Sequence, residues 1–192
     1  MGGQAIATTY HVSDDTYINS GVPATVYGSA LAMSITNANP ERRGYVRFNL
    51  SGLPAGLTLE QIASARMRVW IKSVAAAGRI DVYQVTGAWS ESTLNASTAP
   101  NMDPAPIASF NVSTAGVRRY IDVDISAAMP GLLLQNNGLA LVSAGGRAEI
   151  DTRDIQGTQP EQASNPPQLE IELIGPAGPT GEQGPKGDTG AQ

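Results

Sequence analysis

The sequence predicts an all-β protein: an antiparallel, jelly-roll-like β-sandwich head, followed by a short segment suited to a three-chain polyproline II helix. Two observations carry this. Short stretches of apolar–polar alternation recur at near-regular spacing, separated by Gly, Pro, Asn and Ser clusters, which is the pattern of antiparallel strands joined by turns. At Gly175 the texture changes, and glycine then returns at 178, 181, 184, 187 and 190. Such a period has a steric cause, because only glycine fits at the crowded axis of three extended chains.

Taken in order, weaker strand candidates at 5–12, 15–18 and 31–36 precede a clear one at 43–50. The least interrupted alternation is 65–72, where Ala65, Met67, Val69 and Ile71 face one way and Arg66, Arg68, Trp70 and Lys72 the other. Further strands are expected at 79–85, 106–112, 117–125, 138–143 and 168–174. That makes about nine or ten short strands, a sandwich-sized set. Phe48 and Leu50 read as core positions, and Leu53-Pro54-Ala55-Gly56 as a turn. The one helical turn is expected at 126–134, with Ser126 as N-cap and Pro130 limiting its length. The organisation predicted is a disordered or expression-derived start at 1–4, the head at 5–174 and the glycine triplets at 175–192.

Composition narrows the chemistry. The chain has 192 residues, a formal net charge of −5, no Cys and one histidine, His11. No cysteine means no disulfide, thiolate metal site or cysteine nucleophile, and one histidine rules out multi-histidine metal sites. The acidic balance argues against nucleic acid as a partner. No apolar run approaches the ~20 residues of a membrane span, so membrane insertion is not expected. Met1-Gly2-Gly3-Gln4 has neither the basic nor the apolar region of a secretory leader.

The triplets GPA-GPT-GEQ-GPK-GDT-GAQ resemble collagen-like proteins. Proline occupies X positions but no Y position, so hydroxyproline cannot stabilise this stretch, which suggests a bacterial or viral collagen. Lys186-Gly187-Asp188 resembles the KGD element of bacterial collagens, in which a Y-position Lys pairs with an Asp of the neighbouring chain. Solvated pairs of this kind contribute about 0–1 kcal/mol each, enough to bias register.

Residues 5–174 carry a second resemblance. In order, Asp15-Thr16-Tyr17-Ile18, Tyr27-Gly28-Ser29, the run Tyr45 to Gly56, the strand 62–72, Val82 to Glu91 through Trp89-Ser90, Asn137-Gly138-Leu139-Ala140-Leu141, Asp151-Thr152-Arg153-Asp154 and Pro167 to Ile171 resemble the DNRLRE-type β-sandwich domain. This is a carbohydrate-binding-module-like fold of bacterial surface and secreted proteins. Two pieces depart from it: Ser92 to Pro100 lacks the family's aromatic, and Thr152-Arg153-Asp154 stands where a Ser-Arg-Glu-like element is usual. The resemblance implies a sandwich scaffold, which does not by itself fix a function.

Each candidate site also has a plainer role. Asp122/Asp124 and Glu170/Glu172 are same-face carboxylate pairs, as glycoside hydrolysis requires, but acidic outer strand faces carry such pairs routinely. His11 reads as solvated or capping. Calcium takes oxygen donors, and Asp14, Asp15, Asn19, Asp151 and Asp154 are its candidates, with loop capping by Asp as the alternative. For a sugar, Trp70 beside Arg66, Arg68 and Lys72 is a candidate platform, suited to an anionic polysaccharide; otherwise Trp70 is an outer-face or interface residue.

The reading that follows is a non-enzymatic structural protein of an extracellular or cell-surface fibre, or of a virion or phage fibre. Its head forms a homotrimer and starts a collagen triple helix, with Ile174 and Gly175 at the three-fold join, then Gly178, Gly181, Gly184, Lys186, Gly187, Asp188 and Gly190. The alternative is a carbohydrate-binding adhesin head on a collagen-like stalk.

Overall fold

A computed structural model describes residues 6–154 and 165–174. The triplet residues Gly175 to Gly190 lie outside the described residues. The described chain is all-β and antiparallel, with strands β1 (Ile6–Asn19), β2 (Ala32–Ile35), β3 (Arg42–Phe48), β4 (Ile62–Ala76), β5 (Gly78–Gln84), β6 (Ala108–Val112), β7 (Tyr120–Asp124), β8 (Leu139–Ser143), β9 (Arg147–Asp151) and β10 (Gln168–Leu173). One short helix, α1 (Met129–Leu134), interrupts them.

The expected pieces at 5–12 and 15–18 form one strand. Ile6 to His11 of β1 pair with β10, and Val12 to Asn19 pair with β3. The register slips between Val12 and Asp14, so an extra residue, Ser13, reverses which face the following side chains take. The Ser13 hydroxyl donates to the Arg47 carbonyl at 3.1 Å. Through β1 the first sheet (β7–β4–β10–β1, with β9 and β2 along the second half of β4) passes into the second (β1–β3–β8–β5–β6).

The alternation in β4 packs as expected: Ala65, Met67, Val69 and Ile71 are fully buried. They meet Leu169 and Ile171 of their own sheet and Val46, Phe48, Ile80, Val82 and Leu141 of the other, in one core between two layers. Each of the larger side chains, Ala65 excepted, contributes about 1.5–3 kcal/mol by leaving water. A smaller core of Ile18, Tyr45, Val85, Trp89, Leu94 and Ala140 lies on the opposite face of the second sheet. The long segment after β5 supplies Trp89 and Leu94, and so closes that face.

Two local features differ from expectation. Strand β9 was not anticipated: it is five residues long, with only Ala148 and Ile150 apolar, and it forms by pairing with both β2 and β4. Ser126 opens a short 3₁₀ turn ahead of α1, but its side chain makes no cap. The hydroxyl instead accepts the Ala65 N–H at 3.0 Å, and Asp124 accepts the Ser126 N–H at 2.9 Å. Where β7 stops, the β4 backbone still needs an acceptor, and Ser126 supplies it.

Candidate functional site

Two constellations stand out. The first is an outer face of the first sheet, where β4 lies between β7 and β10. The register sets Arg66 opposite Asp124 and Glu170, Arg68 opposite Asp122, and Trp70 opposite Tyr120. Trp70 and Tyr120 meet edge to face, centroids 5.2 Å apart and planes at 72°. Arg68 lies 5.0 Å from the Tyr120 centroid and bonds Asp122 and Glu170, each at 2.9 Å. The Tyr120 hydroxyl donates to the Pro166 carbonyl at 3.3 Å, reaching across β4 toward β10. Trp70 and Tyr120 are half-buried, whereas Arg66 and Lys72 are exposed.

The face therefore ends in an aromatic corner, since rings at 72° cannot form one flat plate. A sugar ring stacked on one of them would have the other as a side wall. Arg68 is largely committed to protein partners, which changes its expected role as a free anion receptor. Three cations, Arg66, Arg68 and Lys72, stand among four carboxylates, Asp122, Asp124, Glu170 and Glu172, so the face is not basic.

The second constellation is acidic. Asp15 on β1, Glu91 in the segment after β5 and Asp154 in the turn after β9 bring carboxylate oxygens within 4.8 Å of one another. The slip at Ser13 turns Asp15 to the inner side of β1 and Asp14 to the outer, where Asp14 pairs with Arg47 at 2.8 Å. The Asp15 N–H donates to Glu91 Oε1 at 3.0 Å, and Asp15 Oδ2 accepts the Arg153 N–H at 2.9 Å. Arg153 also pairs with Glu91 Oε2. Gly28 presses against this segment: a Cβ there would lie 2.8 Å from Glu91 Cγ.

Asp15 is only 1% exposed. Burial pushes its carboxyl up to about 7; the Arg153 N–H works against this, while the charges of Asp154 and Glu91 add to it. Asp15 Oδ1 and Asp154 Oδ2 are buried without a hydrogen-bond partner. Of the sequence-predicted calcium residues, the structure thus brings together Asp15 and Asp154. Asp14 is committed to Arg47. Asp151 faces Asn165, whose amide donates to Asp151 Oδ2 at 3.4 Å, and burial raises its carboxyl. Asn19 accepts the Gly21 N–H within its own turn, at 3.0 Å. Glu91 was missed, although it belongs to the Trp89-Ser90-Glu91 piece of the family resemblance.

The model of carbohydrate-binding module family 96 matches residues 6–173. The chain belongs to this family. No curated protein matches the chain. Within this family-96 module, sequence pieces lying far apart in the chain meet around the acidic group: Asp15, Gly28, Arg47, Trp89, Glu91 and Arg153-Asp154.

Trp89 of the module is a packing residue. It is 9% exposed, its indole N–H donates to the Asn137 carbonyl at 2.7 Å, and its ring lies 5.9 Å from that of Tyr45. The same-face carboxylates are also engaged: Asp122 and Glu170 bind Arg68, Asp124 binds the Ser126 N–H, and Glu172 accepts from Ser64 at 3.0 Å. His11 is exposed. Among the described residues no helix is long and apolar enough to cross a membrane.

Proposed function

We propose that the chain is a non-catalytic carbohydrate-binding head whose glycine triplets gather three copies on a collagen-like stalk. Membership of a carbohydrate-binding module family favours the sugar-binding reading over a purely structural fibre head. The observation that carries the site assignment is the Trp70–Tyr120 corner. Aromatic faces offer apolar surface for the C–H face of a sugar, and the flanking Arg66, Asp122 and Lys72 offer hydrogen bonds to hydroxyls. A corner suits a single glycan chain better than a flat crystalline surface, and the mixed charge favours neutral or weakly charged sugars over a polyanion.

Affinity electrophoresis against a panel of neutral and uronic-acid polysaccharides tests this reading. Trp70→Ala and Tyr120→Ala should each abolish retardation while leaving the melting temperature within a few degrees. Retention of binding in both variants would remove the corner as the site.

The stalk reading rests on the sequence period that begins one residue after Ile174. The Ile174 N–H still donates to the Gln61 carbonyl at 2.8 Å, and its side chain is 55% exposed at that end of the sheet. Ordering three chains into one helix costs conformational entropy, and association of the heads offsets part of that cost. Three heads on one stalk would in turn raise avidity by about 10²–10⁴ through linked binding. Sedimentation equilibrium should find a trimer, weakened by deletion of 175–192; Gly184→Ser should loosen the tail and leave the head trimeric. A monomer at micromolar concentration would end the stalk reading and leave the sugar reading intact. In this reading the module works at a cell surface, in an extracellular fibre or on a virion.

A further inference from the structure

We propose that Asp15, Glu91 and Asp154 hold a hard divalent cation, calcium by its donor set, that fastens β1, the segment after β5 and the turn after β9 to one another. The first support is geometric. Oxygens bound to one calcium at ~2.3–2.6 Å lie at most ~5 Å apart, and these three carboxylates already place oxygens within 4.8 Å of one another. They come from positions 15, 91 and 154, so nothing local in the chain requires them to meet.

The second support is independent of the acidity of the cluster. Asp15 is 1% exposed, yet its Oδ1 has no hydrogen-bond partner, and Asp154 Oδ2 shares that condition. A buried carboxylate oxygen without a donor loses its hydration for nothing in return. The hydrogen bonds and ion pair of Asp15 and Glu91 use other atoms: Asp15 Oδ2 takes the Arg153 N–H, Glu91 Oε1 takes the Asp15 N–H, and Glu91 Oε2 takes Arg153. Among the described residues Arg153 is the one cation ion-paired within the group, so one positive charge stands against three carboxylates.

The donor chemistry chooses the ion. All three ligands are hard oxygens, the chain has no Cys, and its one histidine is not in the group, which disfavours zinc and copper. Three carboxylates from separate segments suit the irregular shell of calcium better than the near-ideal octahedron of magnesium. Water would complete the shell.

The test is calcium binding to the whole chain, read by calorimetry and by thermal melts in EDTA and in CaCl₂. Wild type should bind one calcium per chain and melt about 5–10 °C higher at a hundredfold excess over Kd. Asp154→Asn should fold, as judged by circular dichroism, but lose both the heat of binding and the calcium-dependent shift. Asp14→Asn should keep both, because Asp14 belongs to Arg47. No heat and identical melts for wild type would overturn the proposal and leave Arg153 as the sole counter-charge. An unchanged calcium response in Asp154→Asn would overturn the site.

Discussion

Arg47 clamps Trp89 from two sides: its guanidinium carbon lies 5.0 Å from the centroid of the Trp89 ring, and its Nη1 donates to the Trp89 carbonyl at 3.1 Å. The same guanidinium bonds Asp14 at 2.8 Å. One strand residue thereby ties β1 to the segment that closes the smaller core and carries Glu91 toward Asp15.

Trp89 should therefore be costly to truncate. Trp89→Ala is expected to destabilise by about 3–5 kcal/mol, the range for a large aromatic removed from a packed site. Trp89→Phe should cost less, since it keeps ring packing and loses mainly the bond to Asn137, worth about 1–2 kcal/mol. Urea denaturation of the two variants gives the order, and equal losses would contradict it.

Gly138 offers a backbone prediction. Its φ of 77° is in the left-handed region, and a Cβ there would overlap the Val46 carbonyl. Gly138→Ala should lower stability by at least about 2 kcal/mol, combining strain with overlap. For a chain of this size that is a drop of roughly 4–8 °C in Tm, measurable by scanning calorimetry.

Arg68 separates stability from recognition. Its pairs with Asp122 and Glu170 are partly exposed, with side-chain exposures of 30%, 47% and 25%, so each pair contributes about 0–1 kcal/mol. Arg68→Ala should melt close to wild type. It should nevertheless weaken sugar binding, because the Tyr120 ring loses the cation that lies over it. Unchanged affinity, measured by titration calorimetry with a bound glycan, would show that Tyr120 holds its place without Arg68.

Acid sensitivity should pass in part through Asp124. The Ser126 N–H holds its carboxyl below the ordinary carboxylate range. A carboxylate whose pKa is lowered by folding stabilises the fold above the ordinary range, and that contribution disappears as pH falls through the lowered value. Asp124→Asn should flatten the stability profile below about pH 4, with little change at pH 7 beyond the altered cap. Denaturation curves at stepped pH check it.

Much of the head was legible because its signals are local. The faces of β4 followed from Ala65, Met67, Val69 and Ile71 alternating with Arg66, Arg68, Trp70 and Lys72, since side-chain direction in a strand has a period of two. Strand β9 was not, because Arg147 to Asp151 hold two apolar residues and owe their conformation to partners on both edges. Trp70 was found on its outer face, but nothing along the chain indicated that Tyr120 would meet it at an angle, or that Arg68 would be taken by Asp122 and Glu170.

By itself the sequence determined that this chain forms alternating strands, and that a glycine at every third position follows Ile174. Both are repeating steric rules read from neighbouring residues. Which aspartates converge was decided only by tertiary structure. One extra residue at Ser13 turns Asp15 inward and Asp14 toward Arg47. The segment after β5 then delivers Glu91, and the turn after the unforeseen β9 delivers Asp154. The slip arises because β1 must serve two sheets, and a strand's register is set by its partners across the ladder.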